Sequence, residues 1–260
     1  MTAPKTKRSI WWTALVILFS ALFAVSAVML VLHFLPQAGQ PGLVSTPSVP
    51  SAPESNGPVL VDNPIDFAAL QAKNPEIIGW ISIPGTHIDY AILQSGKDTP
   101  EDYYLYRDEQ GKNRRAGSIY IQKQNSHLFT DPNTVIYGHY MANGSMFADL
   151  HQFRKEKFFA ENDTILIYTP GHILTYQLYS AFVFDDRHVL NSYNFHDPED
   201  PMGYRAFLDV TLNPPTMHKQ VRPGVEVTTA DRIITLSTCT TRDTERYLVE
   251  GVLISDQLTR

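Results

Sequence analysis

The chain has 260 residues with 21 Lys and Arg against 27 Asp and Glu, a formal net charge of −6, and a single cysteine. Lys5, Lys7 and Arg8 precede any acid, so the chain after residue 35 carries 18 basic against 27 acidic residues, a net of −9. Such a balance excludes the basic footprint that nucleic acid requires, and one cysteine excludes an intrachain disulfide, so a folded domain must rest on its hydrophobic core.

Ile10 to Leu32 is a run of 23 uncharged residues. As a helix it reaches about 34 Å, enough for the ~30 Å hydrocarbon layer. Trp11 and Trp12 stand at its start, and the basic residues before it place residues 1–9 in the cytoplasm. Residues 10–35 are therefore expected to be a single transmembrane signal anchor. A cleaved signal peptide is the competing reading; its apolar region is usually ~7–15 residues. Residues 36–58 contain 13 Pro, Gly or Ser, a composition that cannot build a core. They read as an extended linker reaching up to ~70 Å from the membrane, with an extracellular domain over residues 59–260.

Within that domain Asn63-Pro64 is expected to open a short helix over Ile65 to Ala72, stopped by Asn74-Pro75. Apolar, β-branched runs bounded by turn residues then predict eight strands: Gly79–Ile83, Ile88–Leu93, Gly117–Ile121, Thr134–Gly138, Thr164–Tyr168, Ile173–Phe184, Ile233–Ser237 and Tyr247–Ile254. Eight short strands with few long helices suggest a closed β-barrel. Two helices interrupt them. One covers Met146 to Ala160; the other covers Asp200 to Leu212, with Asp200 as cap and Pro201 in the first position. Asp185 to Gly224 is thus a long insertion between two strands, a place suited to recognition.

The chemistry centres on Cys239, which ends the run Ile233-Ile-Thr-Leu-Ser-Thr-Cys239, with Arg246 seven residues on and His139 at the end of a distant strand. A lone buried cysteine is more often a small hydrophobe than a nucleophile, and Arg246 alone reads as a surface charge. Together at strand ends, the three are the inventory for thiol acyl transfer. The thiolate attacks a carbonyl, the imidazolium protonates the departing amine, and the guanidinium is a permanent donor to an oxyanion or to substrate carbonyls. Ser237 and Thr238 could donate hydrogen bonds beside the thiol or serve only as strand residues. No second Cys and no paired His spacing supports a metal site, and no cofactor is expected.

Thr235-Leu-Ser-Thr-Cys239 followed by Arg246 resembles the Cys–Arg signature of the sortases, membrane-anchored transpeptidases of Gram-positive bacteria. Tyr137-Gly-His139-Tyr-Met141 with Gly144-Ser-Met-Phe147 resembles the histidine segment of class B members. Arg115-Ala-Gly-Ser-Ile119, Asn74-Pro-Glu-Ile-Ile-Gly-Trp-Ile81 and Gly85-Thr-His-Ile-Asp-Tyr90 also match that class. The resemblance implies an eight-stranded sortase barrel with an N-terminal helix and a helix in the insertion. It implies cleavage of a C-terminal sorting signal between Thr and Gly or Asn through a thioacyl enzyme on Cys239. A peptidoglycan amine or a pilin lysine would resolve that intermediate. His139 matches the family's acid/base and Arg246 its essential arginine, while Leu105, Tyr140 and Ser237 match groove positions. A plain cysteine hydrolase and an anchored binding module are the alternatives: the first differs by letting water win over an amine, the second by not needing the thiol.

Overall fold

The computed structural model describes residues 60–197, 200–242 and 244–260; the expected anchor at 10–35 and linker at 36–58 lie outside them. Among the described residues, no helix is long and apolar enough to cross a membrane. All eight expected strands are present. They are β1 (Ile77–Ser82), β2 (Asp89–Gln94), β3 (Ile119–Ile121), β4 (Asn133–Tyr137), β5 (Thr164–Thr169), β6 (His172–Asp185), β8 (Ile233–Cys239) and β9 (Glu245–Leu258). Hydrogen bonding runs β5-β1-β2-β3-β4-β8-β9-β6, and the β5–β6 pairing closes the ring. The fold is mainly β, a closed eight-stranded barrel, which leaves no free edge around the ring.

A ninth strand, β7 (Lys219–Val221), departs from the expectation. It pairs with Ser180–Phe182 on the β6 edge whose first half is taken by β5. Three residues with one apolar side chain carry no strand pattern of their own, so the exposed edge of β6 makes this strand.

Strands β4 and β8 are buried along almost their whole length, as expected when both faces of a strand are covered. Inside the barrel Ile136, Ile234, Leu236 and Val249 pack with Ile81, Ile92 and Phe147. On the outer face Val135, Ile233, Leu248 and Phe182 pack against Tyr204, Phe207 and Leu208 of α4 (Tyr204–Leu212). The insertion between β6 and β8 is therefore a lid on the outer face of the sheet. Burying Phe207 completely is worth about 2–3 kcal/mol, which holds the lid down.

The helices differ from expectation at their ends. Helix α1 is Phe67–Lys73, and its cap is Asp66, whose carboxylate accepts the Ala69 N–H at 2.9 Å. Asn63, expected to open the helix, instead accepts the Ile65 N–H and donates to the Thr169 carbonyl. The single helix expected over Met146–Ala160 is two pieces, a 3-10 helix at Ala148–Arg154 and α2 at Glu156–Glu161. Lys155 breaks it with an extended ψ of 119°, which lets Phe153 and Phe159 both reach the barrel core. Helix α4 starts at Tyr204 rather than after Asp200, because Asp200 is used by a preceding turn. Its carboxylate accepts the Met202 N–H and its carbonyl the Gly203 N–H. A last short helix, α3 (Val189–Ser192), begins the insertion.

Candidate active site

Cys239 is the last residue of β8 and lies directly opposite Arg246 of β9. Residues opposite one another in an antiparallel pair point to the same face with Cβ atoms about 4.5–5.5 Å apart. The Thr240 amide reaches the Glu245 carbonyl at 3.5 Å, so Cys239–Arg246 is the non-hydrogen-bonded kind of pair, in which side chains sit closer. Ser237 and Leu248 form the next pair on that face.

Strand β4 runs parallel to β8 with Tyr137 abreast of Ser237. Two residues further along each chain, His139 comes abreast of Cys239. Between them Gly138 donates its N–H to the Ser237 carbonyl at 3.1 Å. A Cβ at Gly138 would lie 2.5 Å from Ile119 and 2.7 Å from Phe147, so only glycine lets β4 pass this close to the core. The His139 carbonyl then accepts the Phe147 N–H at 3.0 Å, which fixes the backbone that carries the imidazole.

The sequence shows no group to orient that imidazole; the structure supplies two. His139 Nε2 lies 2.8 Å from the Leu105 carbonyl. A carbonyl only accepts, so Nε2 carries the proton and Nδ1 is the nitrogen left for proton transfer. Tyr106 packs its ring on the imidazole with centroids 5.3 Å apart. The Leu105 carbonyl is itself placed by Gly117, which has φ +58° and whose added Cβ would fall 2.2 Å from that oxygen. The aromatic run Tyr103-Tyr-Leu-Tyr106 within a polar stretch is the available signal for this segment.

Cys239, His139 and Arg246 all line one cleft of about 570 Å³ on the outer face of the sheet. Its walls are the Glu101–Tyr106 segment and the start of the insertion, Asp186–Val189. Its floor carries Tyr120 and Tyr137, which stack with centroids 5.5 Å apart. Burial raises both phenols well above their ordinary range and lowers His188 on the wall, favouring its neutral form. Arg187 at the rim is committed to Asp185, 2.8 Å away, and that ion pair holds the carboxyl below its usual range.

Of the expected groove residues, Leu105 and Ser237 line the cleft. Thr238 borders it, but strand alternation sends its side chain to the opposite face from Cys239, the face of Leu236 and Ile234. Tyr140 does not line it. This residue bridges Met146 and sets its ring edge-on against His151, centroids 4.6 Å apart. Among the described residues no group of three or more His, Cys, Asp or Glu is arranged to hold a metal ion.

The profile of the Sortase domain family matches residues 81–254. Sortase B of Listeria monocytogenes is 36% identical over 189 residues, covering 72% of this chain and 73% of the relative. The crystal structure of Clostridium perfringens sortase B superposes with a TM-score of 0.63 at 30% identity, covering 72% of this chain and 99% of that one. A Staphylococcus aureus sortase B–substrate complex superposes with a TM-score of 0.62 at 30% identity, covering 73% and 84%. With a closed barrel of this topology and one cysteine at the end of the strand before Arg246, this chain belongs to the sortase family as a class B member and is a cysteine transpeptidase.

Proposed function

We propose that Cys239 is the nucleophile, His139 the acid/base and Arg246 the oxyanion donor of a sorting-signal transpeptidase. The observation that carries this reading is the convergence of the three residues on one cleft from three neighbouring strands. The Cys239 thiolate attacks the carbonyl carbon after a Thr of the signal, and the electron pair moves onto the oxygen. Arg246 donates to that oxyanion, a contribution worth about 10²–10³ in rate when one such donor is removed. As the C–N bond breaks, His139 gives its Nδ1 proton to the leaving amine, and a thioester remains on Cys239. An incoming amine attacks the thioester and loses a proton to His139. The new amide departs, and the thiolate–imidazolium pair is restored.

A sortase B has been solved with a substrate and another with triglycine, which supports a peptide signal as donor and a primary amine as acceptor here. The donors are surface proteins bearing a C-terminal sorting motif; the acceptor is an amine of peptidoglycan precursor or cross-bridge, or a pilin lysine. Residues 10–35 anchor the enzyme in the cell membrane with residues 1–9 in the cytoplasm, and the linker at 36–58 sets the height of the extracellular domain. Deletion of residues 1–35 is expected to move the enzyme from the membrane fraction to the medium or the soluble fraction.

The deciding experiment offers the full chain, in mild detergent, a set of quenched peptides with Thr–Gly or Thr–Asn bonds, with and without triglycine. Cleavage lost in Cys239→Ala, together with a triglycine-linked product, is the expected result. Cleavage without linked product at saturating amine would make the enzyme a hydrolase, and cleavage retained in Cys239→Ala would remove the thiol from the mechanism.

A further inference from the structure

The backbone carbonyl of Cys239 has an unusual partner. In the parallel β4–β8 ladder the Ser237 carbonyl takes the Gly138 N–H, and the next acceptor on that edge is the carbonyl of Cys239, due an N–H from Tyr140. The chain has by then left the sheet, because β4 ends at Tyr137 and Tyr140 pairs with Met146 instead. The vacant donor position is filled from elsewhere. His151, in the 3-10 helix Ala148–Arg154, places Nε2 3.0 Å from the Cys239 carbonyl.

The imidazole is held from two sides. It stacks on Tyr247, centroids 5.0 Å apart and planes 21° from parallel, with Tyr140 edge-on against it. Arg154 lies over the Tyr247 ring at 4.9 Å. Burial, with the Arg154 charge acting in the same direction, favours neutral imidazole, against the pull of the carbonyl. A carbonyl accepts only, so the neutral ring is the Nε2–H tautomer. His151 is not among the cleft residues, so it approaches the nucleophile from behind.

We propose that His151 is a positioning residue for Cys239: its Nε2–H replaces the missing strand neighbour on the Cys239 carbonyl and so fixes the end of β8 that carries the thiol. This rests on Cys239 being the nucleophile. An unpartnered carbonyl at a strand end lets that residue turn, and small displacements of a reacting group are costly in rate. Because the contact is on the far side from the cleft, its loss acts on the reaction and not on peptide binding.

The test compares wild type, His151→Phe, His151→Gln and Cys239→Ala as full chains in detergent. Phenylalanine keeps the stack on Tyr247 and removes the donor; glutamine returns an N–H donor. The readouts are kcat and KM on the Thr–Gly or Thr–Asn peptide cleaved by wild type, the pH profile of Cys239 alkylation by iodoacetamide, and the melting temperature. For His151→Phe we expect kcat lower by about tenfold, the size of one lost positioning hydrogen bond, with KM within about twofold. We also expect a displaced alkylation profile and a melting temperature near wild type, and His151→Gln recovering most of kcat. A wild-type kcat and alkylation profile in His151→Phe overturns the proposal while leaving the role of Cys239 intact. So does equal loss in both variants in step with lowered melting temperatures, which marks a purely structural residue. Full cleavage by Cys239→Ala instead overturns the nucleophile assignment, and this proposal with it.

Discussion

Glu250 offers a sharp test of the electrostatics of this fold. It lies on β9 with 0% exposure, opposite Thr235 of β8 and Ser180 of β6. Its Oε2 is 2.8 Å from the Thr235 hydroxyl, which is also 3.0 Å from Asn133 Oδ1. One hydroxyl has one proton and cannot donate to both. A protonated Glu250 resolves this by donating to Thr235 Oγ1, which donates onward to Asn133. Burial pushes the carboxyl from an ordinary 4.5 up to about 8, against the opposing pull of the Thr235 bond. Between those values the native state holds a proton that the unfolded chain releases, so this group's contribution to stability falls as pH rises. It is complete below about 4.5 and lost above about 8. The gap between the two values corresponds to roughly 5 kcal/mol over the window, with about 3 kcal/mol of it between about pH 5 and pH 7. Glu250→Gln keeps the shape and removes the titration. Urea unfolding of both proteins, followed by circular dichroism from about pH 5 to pH 9, isolates the effect as the difference between them. That difference is expected to shift in favour of the variant as pH rises and to level off above about pH 8. A flat difference across the series would refute the buried neutral carboxyl.

Three further perturbations probe the cleft. Gly117→Ala forces a Cβ into the Leu105 carbonyl at a left-handed φ; a loss of about 2 kcal/mol or more in thermal melts is expected, with a fall in kcat as His139 loses its partner. Arg246→Lys keeps the charge but removes the guanidinium fork, one N–H of which is used on the Glu245 carbonyl; kcat/KM for the cleaved peptide should drop about 10²–10³-fold, and near-wild-type activity would remove Arg246 from oxyanion stabilisation. Tyr106→Ala removes an exposed ring from the imidazole; stability should change by under about 0.5 kcal/mol while kcat falls several-fold, and unchanged kcat would show that the stack orients nothing.

The parts of this protein that are legible in its sequence are those where one segment's pattern decides the outcome. Each of the eight ring strands is an apolar run that announces itself, and a seven-residue separation across a short turn places Cys239 and Arg246 opposite one another on a hairpin. Strand β7 and the break at Lys155 are not legible, because the edge of β6 and the competing pull of Phe153 and Phe159 toward the core decide them. Tyr140 shows the limit of adjacency. It neighbours His139 in sequence, yet the chain turns between them and the side chain serves the back of the site.

The same distinction explains which site residues a sequence conceals. The thiol, imidazole and guanidinium are chemically conspicuous, but what aims them is mostly backbone: the Leu105 carbonyl on His139, the Ser237 carbonyl on Gly138, the Cys239 carbonyl under His151. A carbonyl is present at every residue, so no residue type marks it. The marks are indirect. Gly117 and Gly138 are glycines because a Cβ would strike the Leu105 carbonyl or the Phe147 ring, and His151 stands twelve residues from His139, a spacing with no meaning until the 3-10 helix folds it behind β8. The two-sided burial of β4 and β8 then gives the arrangement its rigidity. Substitutions on the inner face are expected to be felt as stability and those on the outer rim as rate, because the barrel core holds the strands whose ends carry the chemistry.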